Sequence, residues 1–267
     1  MNTFQAIVTA IVEGLTEFIP ISSTAHMRFT GPLIGLDDST AFVKMYEVVI
    51  QLAAILAVVV LYRKKFLNFS NTSFYLKLIL AMVPAIIAGL LLKKHIDAAL
   101  DNLQVIAFVM IGGGIVFLFI DRVFKNAGNK QDTEVSYKKA FIIGCGQVLS
   151  IIFPGLSRSA ATIITGMSQK LSRQDAAEFS FFLAVPTMFA ASVKSFWDVY
   201  KEQPEVLNSG NLSTLLIGSA VSFIVALLAI KFFIGFLKKH GFFVWGVYRI
   251  IIGILILVLI AAGIIHN

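Results

Sequence analysis

The sequence contains a single cysteine, Cys145, among its 267 residues. One cysteine excludes an intramolecular disulfide and a thiolate metal centre, because both need further cysteines. Charged residues are also few: they make up 14% of the chain, whereas hydrophobic residues make up 58%. A soluble domain carries about 25% charged residues. The shortage of charge excludes an ordinary soluble domain and indicates a membrane protein.

Nucleotide-binding fingerprints are missing as well. No Walker or dinucleotide motif follows a predicted strand. The run IGGGIV at 111–116 lies inside an apolar stretch, where small residues let helices pack closely. The net charge is +7, but basic residues of a membrane protein first indicate orientation and contact with anionic lipid. We therefore expect the lipid bilayer, and no nucleic acid, as a partner.

Long hydrophobic stretches, by contrast, are abundant. A helix needs about 20 apolar residues to cross the hydrocarbon core of a bilayer. Six stretches satisfy this requirement, and each is predicted to be a transmembrane helix. They are 42–62, 74–92, 103–120, 176–197, 212–236 and 242–264.

The chain also contains a short internal repeat. EGLTEFIPISSTA at 13–25 overlays QVLSIIFPGLSRS at 147–159 when the sequence is shifted by 134 residues. The prolines of the two motifs then coincide, and Ser23 falls on Ser157. Because the polar positions coincide, the match favours an internal duplication.

The order of apolar spans repeats in the same way. A slightly larger shift overlays Gly114 on Gly253 in the third span of each half. The only extended polar connector, 121–139, lies near the middle of the chain. We therefore predict two repeats, 1–125 and 126–267, within one integrated membrane domain.

Each repeat begins with two short apolar segments on either side of a proline, Pro20 or Pro154. Such segments are too short to cross a bilayer and are typical of re-entrant half-helices. Three full spans per repeat give an odd number of crossings, which inverts one repeat relative to the other. The predicted fold is an all-α polytopic membrane protein with two inverted-topology repeats, each containing two re-entrant half-helices and three transmembrane helices.

Basic residues orient this topology. Twelve lysines and arginines near the span ends fall on one side and five on the other. By the positive-inside rule, the first side is cytoplasmic. Both termini and the entrance to the first motif are then predicted to face outward.

The first motif contains two glutamates. Glu13 and Glu17 are four residues apart, so on a helix their carboxylates share one face. Two carboxylates near hydrocarbon are costly unless they face a polar cavity, a cation or a basic partner. This pair is therefore predicted to face a functional site.

A helix start is predicted just after the glutamates. Ser22, Ser23 and Thr24 are good N-cap residues, and a helix N-terminus attracts anions such as phosphate. Ser23 and His26 are three residues apart and can approach the same anion. The serine is the candidate nucleophile or hydrogen-bond donor, and the histidine is the candidate proton donor or acceptor.

The second motif, PGLSRSAAT, adds an arginine. Ser157 and Ser159 lie at a predicted helix start, with Arg158 between them and Thr162 one turn later. The donor fork of an arginine fits phosphate oxygens in a bidentate way. The motif is therefore predicted to bind phosphate.

Other polar residues in the spans receive supporting roles. Glu47 and Gln51 lie in the first span, and Gln147 occupies the repeat position of Glu13, so all three are candidates for residues that surround the site. Arg249 lies inside the last span, where we expect it to snorkel or to pair with an acid.

Combining the motifs favours phosphoryl transfer, in which positioning and charge neutralisation provide most of the catalysis. The carboxylates would repel a phosphate unless they hold a divalent cation, act as a general base or orient His26. A transporter is the alternative, because inverted repeats with broken helices are typical of transporters. However, transport has little use for a hydroxyl, an imidazole and carboxylates gathered together. A scaffold without chemistry would leave two costly polar motifs at membrane depth without a purpose.

EGLTEFIPISSTAH and PGLSRSAAT resemble the two signature motifs of the undecaprenyl-diphosphate phosphatase family, the bacitracin-resistance membrane proteins of bacteria. The resemblance covers essentially the whole chain, including YEVVIQLAAILAVVV and AAEFSFFLAVPTMFAAS. Ala160 departs from the glycine often found there in the family.

The resemblance implies a bacterial plasma-membrane enzyme that hydrolyses undecaprenyl diphosphate to undecaprenyl phosphate and orthophosphate, which recycles the lipid carrier for cell-wall synthesis and confers bacitracin resistance. It also implies that the site opens to the outer face and that Mg²⁺ or Ca²⁺ assists. Lipid-phosphate flipping, direct water attack in place of a phosphoserine, and the oligomeric state, including a homodimer, stay open. Carried over by position, the implied site residues are Glu13 and Glu17 as the acidic pair and metal ligands, Ser23 and His26 as nucleophile and acid/base, and Arg158, Ser157 and Thr162 as the diphosphate clamp.

Overall fold

The computed structural model describes residues 1–92, 102–124 and 134–265. Within these ranges the chain forms α-helices and one short 3-10 helix, Pro204–Leu207, and no β-strand. The centre of the predicted connector, 125–133, lies outside the described residues. The helices are α1 (Thr3–Thr16), α2 (Ser23–Leu33), α3 (Ala41–Leu61), α4 (Arg63–Phe66), α5 (Thr72–Leu91), α6 (Leu103–Val123), α7 (Tyr137–Ile152), α8 (Arg158–Ser168), α9 (Arg173–Glu202), α10 (Ser209–His240) and α11 (Phe243–Ala261).

Six helices are long and apolar enough to cross a bilayer: α3, α5, α6, α9, α10 and α11. They coincide with the six predicted spans, which confirms a polytopic all-α membrane protein. The ends of α9 and α10 differ from the prediction, because these helices extend to 30 and 32 residues. Their polar terminal turns are also helical, and hydropathy does not detect polar helix.

Side-chain caps set the starts of several spans. Asn71, Asn102 and Asn208 each accept a hydrogen bond from the backbone N–H three residues later, at N···O distances of 3.2, 2.9 and 3.0 Å. These bonds satisfy N–H groups that have no partner within the helix. Short polar residues in the connectors therefore decide where the spans begin.

Each motif contains a break that separates two short helices. The pair α1 and α2 has 14 and 11 residues around Pro20, and the pair α7 and α8 has 16 and 11 residues around Pro154. None of the four reaches the roughly 20 residues that a helix needs to cross the hydrocarbon core. The predicted break at each proline is present.

Helix packing follows the predicted correspondence between the two halves. α1 packs on α10, and its counterpart α7 packs on α5, the counterpart of α10. α3 packs on its own counterpart α9, and α6 on its counterpart α11. The first helix of each half thus lies against the other half, and the clusters of buried hydrophobic residues contain side chains of both halves.

Glycines let the backbones of α6 and α11 approach each other closely at two places. A Cβ atom on Gly114 would lie 2.8 Å from the carbonyl oxygen of Gly246, and one on Gly253 would lie 2.9 Å from that of Ala107. Only residues without a bulky side chain allow backbones this close. The shift that overlays Gly114 on Gly253 also overlays Ala107 on Gly246, so the two contacts are equivalent.

The structure corrects the register of the motifs. The N-caps of α2 and α8 are Ser22 and Ser157, both with positive φ, 72° and 75°. Ser157 therefore corresponds to Ser22, and not to Ser23 as the sequence shift placed it. The reason is that α7 is longer than α1 by two residues, 16 against 14, while the turn after it is one residue shorter.

Candidate active site

The two motifs meet at a cavity of about 310 Å³. Its walls come from the turns after α1 and α7, the starts of α2 and α8, and the helices α3, α5, α7 and α9. The lining residues are Glu17, Ser22, Ser23, Thr24, Gln51, Gly89, Gln147, Ser150, Ile151, Pro154, Gly155, Ser157, Arg158, Thr187 and Met188.

The cavity contains most, but not all, of the side chains that the sequence suggested. Those that line it are Glu17, Ser22, Ser23, Thr24, Gln51, Gln147, Ser157 and Arg158. Those that do not line it are Glu13, His26, Glu47, Ser159 and Thr162. Polar side chains from both halves of the chain thus line one cavity.

Glu17 joins the two motifs. Its Oε2 accepts a hydrogen bond from the Ser23 hydroxyl at 2.6 Å, and its Oε1 accepts one from Nη2 of Arg158 at 2.9 Å. The Glu17 and Arg158 side chains are only 6% and 9% exposed. The Ser23 hydroxyl, the Glu17 carboxylate and the Arg158 guanidinium therefore form a hydrogen-bonded chain at the cavity wall.

Ser180, in the first third of α9, forms hydrogen bonds that hold Arg158 in place. Nη1 of Arg158 donates to the Ser180 carbonyl oxygen at 3.0 Å, and the Thr162 hydroxyl donates to the Ser180 hydroxyl at 2.7 Å. The Thr162 hydroxyl also lies 2.9 Å from the Arg158 carbonyl oxygen, so Thr162 contacts Arg158 directly as well as through Ser180, and it does not line the cavity. The sequence interpretation missed Ser180, because a single hydroxyl inside the apolar run AAEFSFFLAV is only a weak signal.

Two helix N-termini meet at the cavity. The hydroxyls of Ser22 and Ser157 accept hydrogen bonds from backbone N–H groups of α2 and α8 at 3.3 and 3.4 Å. Ser159 is buried beneath, with its Oγ 2.9 Å from that of Ser157. Helix N-termini carry a partial positive charge, so this end of the cavity suits an anion.

His26 has a different position from the expected one. Its Nδ1 lies 2.7 Å from the Ser22 carbonyl oxygen, and its Nε2 lies 2.9 Å from the Tyr248 hydroxyl. A carbonyl oxygen only accepts, so Nδ1 donates; in the neutral ring Nε2 then accepts from Tyr248. Both ring nitrogens are engaged away from the cavity lining, and His26 holds the backbone of the α2 start.

Glu13 is fully buried and lies one helical turn before Glu17, whose N–H donates to the Glu13 carbonyl oxygen at 2.9 Å. Among the described residues, neither carboxylate oxygen of Glu13 has a hydrogen-bond partner, and neither has Oε1 of the buried Gln147. A buried carboxylate without a donor needs a proton or a cation. Oxygen ligands of this kind suit a hard divalent cation.

Among the described residues, no group of three or more His, Cys, Asp or Glu side chains forms a ready metal site. A divalent cation beside Glu13 and Glu17 would therefore take its remaining ligands from amides, water or a substrate phosphate. Mg²⁺ commonly binds in this way, through one or two carboxylates and phosphate oxygens. The residues present fit a cation of this kind.

Arg249 contradicts the prediction made for it. It is completely buried and neither snorkels nor pairs with an acid. Its guanidinium donates instead to backbone carbonyl oxygens of Met110, Pro20, Leu156 and Gly155. The charge is thus satisfied by the two motif turns and by α6.

The comparison with known proteins agrees with the site. The family model described as "Bacitracin resistance protein BacA" matches residues 6–255. An "Undecaprenyl-diphosphatase" of Porphyromonas gingivalis is 48% identical over 99% of both chains. One of Flavobacterium psychrophilum is 50% identical over 97% of this chain and 96% of its own. One of Bdellovibrio bacteriovorus is 42% identical over 98% of both. On this evidence the chain belongs to the BacA family of bacitracin resistance proteins.

Proposed function

We propose that this protein hydrolyses undecaprenyl diphosphate to undecaprenyl phosphate and orthophosphate, the activity for which its relatives are named. The contact that carries the proposal is the row of Ser23, Glu17 and Arg158 at the cavity wall. It provides a nucleophile and a phosphate-binding guanidinium, each within hydrogen-bond distance of the Glu17 carboxylate, which is the base. The reaction recycles the lipid carrier for cell-wall synthesis and confers resistance to bacitracin.

In the first step, the Ser23 hydroxyl oxygen attacks the terminal phosphorus and passes its proton to Oε2 of Glu17, 2.6 Å away. The bond between that phosphorus and the bridging oxygen breaks, and undecaprenyl phosphate leaves. In the second step, water attacks the phosphoserine. Orthophosphate leaves, and the serine oxygen recovers a proton from Glu17.

Arg158 binds the transferred phosphoryl group. The guanidinium lines the cavity, and its buried Nε has no hydrogen-bond partner in the part of the chain that the structure describes. A phosphate entering the cavity competes with Glu17 for Nη2. When Nη2 binds the phosphate instead, Oε1 of Glu17 loses its ion pair. The Arg158 guanidinium then contacts the phosphate oxygens on which negative charge develops. The N-termini of α2 and α8 add partial positive charge.

The topology proposed for this chain consists of two inverted repeats, 1–125 and 126–267, in which α1–α2 and α7–α8 are re-entrant. Four short helices and the exchanged packing of corresponding helices support it. The distribution of basic residues supports outward-facing termini and a site that opens to the outer face. Such a site gives water access to a headgroup whose lipid tail stays in the bilayer.

A divalent cation, Mg²⁺ or Ca²⁺, is proposed to assist, with Glu13 and Glu17 as its protein ligands. When bound, it would neutralise negative charge on the diphosphate. The two unpartnered, buried oxygens of Glu13 support this assignment.

Glu13→Gln is expected to raise the Mg²⁺ or Ca²⁺ concentration for half-maximal activity by about tenfold or more, because an amide replaces an anionic ligand. The measurement is orthophosphate release from a polyprenyl diphosphate in detergent after chelation, with each cation titrated back. Glu178→Gln is the matched control, since Glu178 pairs with Lys65 away from the cavity. An unchanged titration in Glu13→Gln would exclude Glu13 as a ligand.

The activity itself is tested with purified wild-type protein. Incubation with a polyprenyl diphosphate is expected to release one orthophosphate per monophosphate lipid formed. Rapid quench and mass spectrometry are expected to find phosphate on Ser23. Movement of labelled lipid phosphate across liposomes without phosphate release would favour a transporter instead. Turnover without a phosphoserine would favour direct attack by water.

A further inference from the structure

We infer that Arg249 is a positioning residue that fixes the two motif turns relative to each other and so sets the Ser23 nucleophile against Arg158. The inference rests on the proposed phosphatase activity. Arg249 does not line the cavity, so its effect on the reaction is exerted through the turns.

The hydrogen bonds of Arg249 end on both motifs. Nη1 donates to the carbonyl oxygens of Pro20 at 3.1 Å and Leu156 at 3.0 Å, and Nη2 donates to that of Gly155 at 2.9 Å. Pro20 lies three residues before Ser23, and Leu156 lies two residues before Arg158. One rigid guanidinium therefore connects the segments that carry the nucleophile and the phosphate-binding cation.

These carbonyl groups need such a donor. The helix breaks leave backbone oxygens without helical partners, in a chain whose surroundings offer little water. The planar guanidinium has five N–H donors in a fixed arrangement, and Arg249 uses four hydrogen bonds to carbonyl oxygens, including one to Met110 at 3.3 Å. Lysine has the same charge but lacks the flat, forked arrangement.

The position of Arg249 also matches the correspondence between the halves. With the helix caps overlaid, Pro20 corresponds to Gly155, so Arg249 binds equivalent carbonyls of the two turns. The shift that overlays the glycines of α6 and α11 places Met110 at the position of Arg249, and these two residues are in contact. One side chain between the halves thus serves both turns.

Gly113 provides the space for this arrangement. A Cβ atom there would lie 2.5 Å from Nη2 and 3.1 Å from Cζ of Arg249. The middle glycine of IGGGIV is therefore needed for the guanidinium, whereas a Cβ atom on Gly112 would meet nothing within 4 Å. The two neighbouring glycines form a matched pair for an experiment.

The test compares Arg249→Lys and Gly113→Ala with the controls Arg173→Lys and Gly112→Ala. Arg173 pairs with Asp121 at 2.8 Å and does not line the cavity. For each purified protein, kcat and KM for a polyprenyl diphosphate and the unfolding midpoint in detergent are measured. Arg249→Lys is expected to lower kcat by about 100-fold, the scale of a 1 Å misplacement, and Gly113→Ala by about tenfold. KM is expected to stay within about threefold, and most protein to stay folded.

Gly113→Ala keeps the inference testable even if Arg249→Lys fails to fold, because it displaces the guanidinium without removing it. Normal kcat in Gly113→Ala, a loss of kcat only in proportion to lost folded protein, or an equal loss in Gly112→Ala would overturn the positioning role. A wild-type protein that released no orthophosphate would instead contradict the proposed function. The two failures are thus distinguishable.

Discussion

Glu17→Gln is expected to lower kcat for orthophosphate release by about 10²–10⁴-fold, the usual contribution of a general base. In the wild type, one carboxylate oxygen accepts from Ser23 and the other from Arg158. An amide has only one accepting atom. If its oxygen stays with Arg158, its NH₂ group faces the Ser23 hydroxyl and takes no proton from it.

The measurement is steady-state release of orthophosphate, together with rapid-quench detection of phosphoserine. Glu178→Gln is the control for the same chemical change in a partly buried glutamate remote from the cavity. Burst formation of phosphoserine at the wild-type rate in Glu17→Gln would show that another group takes the proton. His26 would then be the next residue to test, despite its contacts with Ser22 and Tyr248.

Arg158→Lys is expected to lower kcat/KM by about 10²–10³-fold, the range observed when one donor to a developing negative charge is removed. Lysine is a point charge without the donor fork that reaches Glu17 and the Ser180 carbonyl oxygen together. We expect kcat to fall and KM to rise, because Arg158 binds the phosphate before and during transfer.

Arg158→Lys also has an expected effect on stability that can be separated from catalysis. Glu17 is buried, and a weakened partner leaves its charge poorly compensated, so the unfolding midpoint should fall. Arg122→Lys, at an exposed position in the last turn of α6, is the control and should change neither property. Wild-type kcat/KM in Arg158→Lys would contradict the assignment of Arg158 to phosphate binding.

Much of the fold follows from local properties of the chain. The six spans are determined by the length of their apolar stretches, because backbone groups in a bilayer must be satisfied within each helix. The breaks are marked by Pro20 and Pro154. The motifs also identify Glu17, Ser23 and Arg158 as candidates for one site, and the structure places all three at one cavity. The spans, the breaks and the candidate residue types can be predicted without knowledge of how distant helices pack.

Other features depend on packing between distant helices. The direction of the His26 ring is set by Tyr248 on α11, 222 residues away. Support for Arg158 comes from Ser180 on α9, whose single hydroxyl gives little contrast in an apolar run. The one-residue difference in register arises from unequal helix and turn lengths, which an ungapped sequence shift does not show.

EGLTEFIPISSTAH and PGLSRSAAT therefore define the chemistry of the site: residue type and spacing fix which groups are acid, hydroxyl and cation. Their relative placement is fixed elsewhere. Arg249 was expected to snorkel or pair, yet it binds the carbonyls of both turns, in space left by Gly113. Hydropathy describes how each segment meets the bilayer. The buried guanidinium is directed by carbonyls of the two motif turns and of α6, which come together only in the tertiary structure.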